Sequence, residues 1–167
     1  MKGIRFAEGL KVLPLTAPVA FTTSAVASQF VDMKLLNHVS FLVMFGVMTS
    51  DSTDTVTVTV EACPIGTTTD SDDQPIAFRY RLSSAVGTDN WGAVTTSSTS
   101  GVALTADAND AMALLIDVDP AEAQTELSTA RWLRVVATPS AAIAAGVISV
   151  VTVGEPRYPG AEQSSST

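Results

Sequence analysis

Hydrophobic and polar residues alternate along most of the chain. In TVTVTVEACP, residues 55 to 64, every second side chain is a valine or an alanine, with threonine and glutamate between them. The same period of two recurs in AFRYRLSS (77 to 84), AMALLIDVD (111 to 119) and AGVISVVTVGEP (145 to 156). Such alternation places apolar side chains on one face of a β-strand and polar ones on the other. Long stretches with the helical period of 3.6 are missing, so the pattern predicts an all-β protein.

The other strands follow from the same pattern and from the turns between them. We expect them around Val12 to Phe21 and at 28–36, 38–48, 91–99 and 131–139. PAEAQTELSTA, residues 120 to 130, is the one plausible helical turn, because it opens with Pro and Glu and lacks β-branched runs. Eight or nine strands predict an antiparallel β-sandwich, jelly-roll-like in its arrangement.

The segment HVSFLVMFGVM, residues 38 to 48, is apolar on both faces of its predicted strand. One face carries Val39, Phe41, Val43, Phe45 and Val47, and the other carries Leu42, Met44 and Met48. We therefore expect a central strand that is covered on both sides, either by a second sheet with a loop or by a neighbouring subunit.

The 167 residues are predicted to form one sandwich domain, at 14–158, with two extensions. Residues 1–13 mix charges, glycine and isolated apolar side chains, which indicates an arm that adds to the sheet edge of a neighbouring subunit or of a partner protein. Its apolar residues are the predicted contacts: Ile4, Phe6, Leu10 and Val12. Residues 159–167 have few apolar side chains and are predicted to be a flexible tail.

Composition and charge exclude several classes of partner. Hydrophobic residues make up 46% of the chain and charged residues 16%, which is typical of a globular protein. The formal net charge is -8, and this field repels nucleic acid and anionic membrane surfaces. Lys11, Pro14, Thr16 and Pro18 interrupt the apolar residues near the amino terminus, so we expect no secretory signal. We expect neither a nucleic-acid nor a membrane partner.

Carboxylates cluster in DSDD (70–73) and DAND (107–110), where a calcium site would have oxygen ligands. An EF-hand loop counted from Asp70 would need Gly and Glu where Pro75 and Arg81 stand. Turn-forming Asp and Asn residues explain both clusters, and we predict no metal site.

Catalytic motifs are also missing from the sequence. The chain has no GxSxG, no HExxH and no phosphate-binding glycine loop. Asp117 and Asp119 share a strand face, but nothing supplies the cleft that a glycosidase needs. Cys63 is the only cysteine, and a dyad with His38 is a poorer interpretation than a small buried side chain. We predict no catalytic residue, no cofactor and no enzymatic activity.

Aromatic residues leave one alternative open. Trp132 and Tyr80 alternate with polar neighbours and are predicted to lie in the core. Trp91 lies beside a turn, and if exposed it would support a glycan-binding module.

Three segments resemble small β-rich virion proteins of tailed bacteriophages. They are AFRYR at 77–81, DNWGAVT at 89–95 and EPRYPG at 155–160, and the resemblance spans about Phe30 to Gly160. Proteins of this kind include capsid decoration or cement proteins, often trimeric, which lock the expanded shell. The resemblance implies a structural protein on the capsid surface of the virion that binds the major capsid protein, with no catalytic residues. A tail or head-tail-joining component is the alternative.

The same features favour self-association. The two-sided apolar strand at 38–48 and the small number of lysines indicate further apolar surface to be covered. We therefore expect a homo-oligomer, with a trimer as the specific prediction.

Overall fold

Alternating side chains build two antiparallel sheets that pack face to face as a β-sandwich. The computed structural model describes residues 9–20, 22–48, 53–67, 70–84, 89–140, 143 and 146–157. The front sheet has the order β1-β12-β4-β10-β7-β8, and the back sheet has the order β2-β11-β5-β6, with β3 paired to β11 and β9 paired to β5. The front-sheet strands are β1 (Lys11–Ala20), β4 (Leu36–Phe45), β7 (Arg79–Leu82), β8 (Thr95–Thr96), β10 (Ala113–Val118) and β12 (Val147–Pro156). The back-sheet strands are β2 (Val26–Ala27), β3 (Val31–Asp32), β5 (Thr55–Cys63), β6 (Gln74–Ile76), β9 (Val102–Thr105) and β11 (Trp132–Pro139).

Strand β5 has the two-faced pattern that its sequence predicts. Val56, Val58 and Val60 are fully buried, whereas Thr57 and Thr59 on the opposite face are partly exposed. β11 runs antiparallel along its whole length, from the Trp132–Cys63 pair to the Pro139–Val56 pair. The valines of β5 therefore anchor the back sheet to the core.

The core lies between the two sheets and takes side chains from both. β4 contributes Val39, Phe41 and Val43 from the front sheet, all with no exposed surface. Leu133 and Val135 of β11 contribute from the back sheet. Burial of a side chain of this size contributes about 1.5–3 kcal/mol, so the face-to-face packing of these strands dominates the stability.

Several predicted strands differ in length from their sequence patterns. The strand expected at 38–48 ends at Phe45, so Val47 is 61% exposed and Met48 turns into the core. The strand expected at 28–36 is divided into β3 and a 3₁₀ turn, Met33–Leu35. The segment predicted at 91–99 contributes only the short β8. Within the described ranges the chain forms twelve strands, several of only two residues, compared with the eight or nine predicted for the sandwich.

The helical turn predicted after β10 is present as α1 (Pro120–Glu126). Asp119 caps it by accepting a hydrogen bond from the Ala121 N–H at 2.8 Å, and Pro120 needs no donor at the first helical position. Leu127 ends the helix in an extended conformation, short of the predicted residue 130. No helix of the described ranges is long and apolar enough to cross a membrane.

The predicted boundaries fall near the edges of the described structure. β1 pairs with β12 from the Lys11–Gly154 pair onward, so residues 11–13 lie in the front sheet and not in a separate arm. Residues 1–8 and the tail at 159–167 lie outside the described residues.

Gly101 precedes β9 with φ of +78°, a conformation that favours glycine. A Cβ atom there would lie 2.2 Å from the Val58 carbonyl oxygen on β5. We expect Gly101→Ala to lower the free energy of unfolding by about 2 kcal/mol or more, because backbone strain adds to the steric conflict. Chemical denaturation checks this value. The matched control is Ser100→Ala at the exposed neighbouring position, and equal stability of both variants would contradict the prediction.

Candidate functional site

The outer face of the front sheet carries rows of apolar side chains. One row joins Pro14, Val151, Leu42 and Leu115 across four neighbouring strands. Directly paired residues point to the same side of a sheet, so these side chains form a continuous surface. We define the outer apolar face as the set Val12, Pro14, Leu42, Met44, Leu115, Val151 and Val153.

These side chains are partly exposed and do not belong to the core. Val12 is 42% exposed and Met44 is 38% exposed. Leu42, Leu115 and Val151 keep intermediate exposure at the centre of the sheet. The inner face of β4 is buried as expected, but no described segment buries its outer face. The sequence predicted that the strand at 38–48 is covered on both sides. The described residues cover only its inner face, so any cover for the outer face must come from elsewhere.

The four predicted contact residues have different positions. Val12 lies at the β1 edge of the outer apolar face, paired with Val153. Leu10 is partly exposed directly before β1. Ile4 and Phe6 lie outside the described residues. The structure thus brings one predicted contact residue into a larger surface, most of which the sequence reasoning did not single out.

A signal for that larger surface exists in the sequence. Leu114–Leu115 and Val150–Val151 are adjacent apolar pairs, which break strict alternation and place one apolar side chain on each face. Leu114 and Val150 face the core, while Leu115 and Val151 face outward.

One end of the outer apolar face is acidic. A hollow of about 130 Å³ there is lined by His38, Arg79, Asp117, Asp119 and Glu122. Glu155 is the cross-strand neighbour of His38 and is exposed. Arg79 makes only a 3.5 Å contact with Glu122, and both side chains are 63% exposed, so this ion pair adds little stability. We call this region the acidic end. Its four carboxylates, on Asp117, Asp119, Glu122 and Glu155, outnumber the one guanidinium of Arg79, so the region attracts cations.

Ser40, His38 and Asp117 meet at this acidic end without forming a catalytic triad. The Ser40 hydroxyl donates to Asp117 Oδ1 at 2.6 Å, and His38 Nε2 lies 3.3 Å from the same oxygen. A triad needs the histidine between the serine and the carboxylate, so that the imidazole can take the hydroxyl proton. Here the carboxylate lies between the other two groups, and the Ser40 hydroxyl donates to Asp117 and not to the His38 ring. His38 lies within β4.

The outer side of the back sheet holds a buried ion-pair cluster. The Arg134 guanidinium contacts Glu61 Oε2 at 2.6 Å and Asp73 Oδ2 at 3.0 Å. The Arg134 side chain is only 7% exposed and that of Asp73 only 4%, and the Phe30 ring lies 5.2 Å from the guanidinium carbon. The cluster attaches the loop before β6 to the face of the sheet.

Cys63 lies beside this cluster, and its thiol could form a metal-binding group with Glu61 and Asp73. The three ligand atoms lie within 4.8 Å of one another. Burial and the nearby Asp73 carboxylate raise the pKa of the Cys63 thiol, which opposes the thiolate that a metal needs. Arg134 already balances the carboxylates, so the geometry fits a buried ion pair better than a metal centre. The sequence reasoning missed this cluster because a loop residue, Asp73, completes it.

The two acidic loops use their side chains to form turns. Asp70 Oδ1 accepts from the Asp72 N–H at 3.2 Å, and Asp73 Oδ2 accepts from the Asp70 N–H at 3.0 Å. The Asn109 amide donates to the Thr105 carbonyl at 2.9 Å. These bonds are the turn chemistry that the sequence interpretation assigned to both clusters.

One of the aromatic side chains assigned from the sequence lies elsewhere than expected. Trp132 was predicted in the core but lies on the outer side of the back sheet, where its ring packs so closely on Gly66 that a Cβ there would lie 2.3 Å away. Tyr80 packs against the core and meets Phe78 edge to face. Trp91, left open as an exposed platform, forms a bridge with Ser83 and is partly buried.

Comparisons with known proteins identify no family for this chain. No protein-family model matches the chain, and no curated protein matches it. Among solved structures, the chain is similar to one in the "Structure of infectious bursal disease virus Gt strain", with 9% identity and a TM-score of 0.27. The match covers 95% of this chain but 43% of the other, so this chain spans less than half the length of that protein. Similarity at this level carries no argument about function.

We expect Arg134→Ala to lower the free energy of unfolding by about 3–5 kcal/mol, because it leaves two largely buried carboxylates without their cation. Urea denaturation measures the loss. Arg79→Ala is the matched control, since its ion pair is exposed and its removal should cause no measurable change. A loss no larger than that of the control would contradict the structural role of Arg134.

The raised pKa of the Cys63 thiol predicts a loss of stability at alkaline pH. In the unfolded chain the thiol ionises above its ordinary value of 9.0, while in the folded chain it stays protonated. The unfolded state therefore binds fewer protons, and this residue lowers stability by at most about 1.4 kcal/mol per pH unit above that value. Denaturation of the wild type and of Cys63→Ala from pH 8 to about 10.5 isolates this difference. Parallel pH profiles would contradict it.

Proposed function

We propose that this protein is a non-enzymatic structural protein of a tailed-bacteriophage virion. In this proposal it binds the major capsid protein on the capsid surface, decorates the expanded shell and stabilises it as a homotrimer. The observation that carries the proposal is the outer apolar face, an extended and partly exposed surface on a rigid sheet. Surfaces of this kind mark sites of protein association.

The strand connectivity supports a jelly roll, which is part of the same proposal. Most successive strands along the chain alternate between the sheets, and the front sheet contains β1-β12-β4-β10 while the back sheet contains β2-β11-β5-β6. This order supports an arrangement of two interlocked Greek keys, the pattern of a jelly roll. Viral capsid domains and lectins both use that fold, so the inference from fold to a virion role is an analogy.

Charge and side-chain chemistry support the same role. A net charge of -8 disfavours contact with packaged DNA and keeps the protein in solution before assembly. The Ser40, His38 and Asp117 arrangement has its carboxylate in the middle, which favours a structural role over nucleophilic catalysis. The partly buried Trp91 gives the glycan-binding alternative less support than an exposed ring would.

We expect the purified protein to co-sediment with expanded capsids and not with unexpanded ones, because expansion creates the shell surface that a decoration protein recognises. Quantifying the protein in the pellet by gel densitometry measures this binding. Pelleting with neither form would contradict capsid decoration. Binding to purified tails or to head-tail connectors instead would identify the alternative virion role.

A further inference from the structure

We propose that the outer apolar face and its acidic end bind residues 1–8 of a second copy of this chain. The inference rests on the homo-oligomer in the proposed function and names the contact that holds it together. The partner segment has the sequence MKGIRFAE.

The apolar side chains of the segment match the apolar surface. Ile4 and Phe6 are two residues apart, so in an extended segment both point to the same side. Val151 and Val153 are also two residues apart and both face outward on β12. The distance between them along the strand therefore equals that between Ile4 and Phe6 in an extended segment. An extended segment can therefore place both side chains on the sheet at once.

The charges of the segment match the acidic end. Lys2 and Arg5 are two of only nine cationic residues in the chain. The acidic end presents Asp117, Asp119 and Glu155 beside the apolar rows. Because each copy has a net charge of -8, most surfaces of two copies repel each other, whereas this basic segment is attracted to the acidic end.

The direction of the chain favours a second copy over binding to the same copy. β1 begins with Lys11 paired to Gly154, next to the acidic Glu155. If residues 1–8 folded back over their own sheet, Glu8 would come first against the acidic end. Lys2 would then lie about three sheet rows away, at the opposite end of the apolar face. In an extended segment Lys2 points to the same side as Ile4 and Phe6. A second copy can therefore approach in the direction that brings Lys2 to the carboxylates, while Arg5 adds positive charge from the other side of the segment.

This contact joins two different surfaces, a segment on one copy and a sheet face on the next. Such a heterologous contact closes into a ring when the rotation between copies allows it. A ring of three copies would use three identical contacts and would cover every outer apolar face. The predicted trimer is therefore compatible with this geometry.

Disulfide trapping between two singly substituted proteins tests the contact. Phe6→Cys protein is mixed with Leu42→Cys protein under mild oxidation, and the mixed disulfide is identified by mass spectrometry. The control partner is Thr138→Cys, at an exposed site on the outer side of the back sheet. We expect at least about tenfold more mixed disulfide with Leu42→Cys, because docking raises the effective thiol concentration. The native Cys63 is buried and common to all the proteins.

Charge reversal provides a second test that does not alter the sandwich. We expect Lys2→Glu with Arg5→Glu to shift the protein from trimer to monomer in multi-angle light scattering. Thr138→Glu, which adds a negative charge at an exposed site on the outer side of the back sheet, should remain trimeric. Adding Glu155→Lys to the double variant should restore at least part of the trimer.

Three results would overturn the inference. They are equal trapping by Leu42→Cys and Thr138→Cys, an intramolecular disulfide in a Phe6→Cys/Leu42→Cys double variant at low concentration, and an unchanged trimer after charge reversal. None of these experiments contains capsids. A failure of capsid co-sedimentation therefore leaves this contact standing, and a failure of trapping leaves capsid binding untouched.

Discussion

The burial of one face of β4 is the constraint on which the rest of the structure depends. β4 lies between β12 and β10, and its inner side chains Val39, Phe41 and Val43 have no exposed surface. A shift of one residue in its pairing would move these side chains to the outside and bring Leu42 and Met44 in. The register that buries the core therefore also determines which side chains form the outer apolar face.

The outer sides of the two sheets differ in how far the chain covers them. On the back sheet, the loop before β6 approaches the surface, and Asp73 joins Arg134 and Glu61 in a buried ion-pair cluster. On the front sheet, Leu42, Leu115 and Val151 remain partly exposed in the described structure. A loop of the same chain packs on the outer side of the back sheet. The outer side of the front sheet exposes apolar side chains, as association surfaces do. This asymmetry gives the proposed assembly a defined face.

Sequence patterns predicted strands well where one face is polar. β5 agrees with its Val/Thr alternation, and α1 begins at the predicted Pro120 after the Asp119 cap. Patterns were less informative where the chain is apolar on both faces or rich in small polar residues. Val47 continues the alternation of β4 in sequence but is exposed, because the strand ends at Phe45 and the inward face of the sheet does not continue to residue 47. Trp132 was misplaced because alternation indicates two faces without indicating which one is inside.

The candidate site depended more on the fold than the strands did. Val12 was predicted as a contact residue, but its neighbours Val151, Leu42 and Leu115 come from other strands and are adjacent only through pairing. Likewise Glu61 and Arg134 are 73 positions apart, and Asp73 joins them through a loop. The sequence by itself determined the strand-forming alternation, the acidic charge and the single cysteine, because these are properties of local order and composition. Only the tertiary structure decided which apolar face is buried and which charges meet, because strand register and sheet packing bring together residues that are distant along the chain.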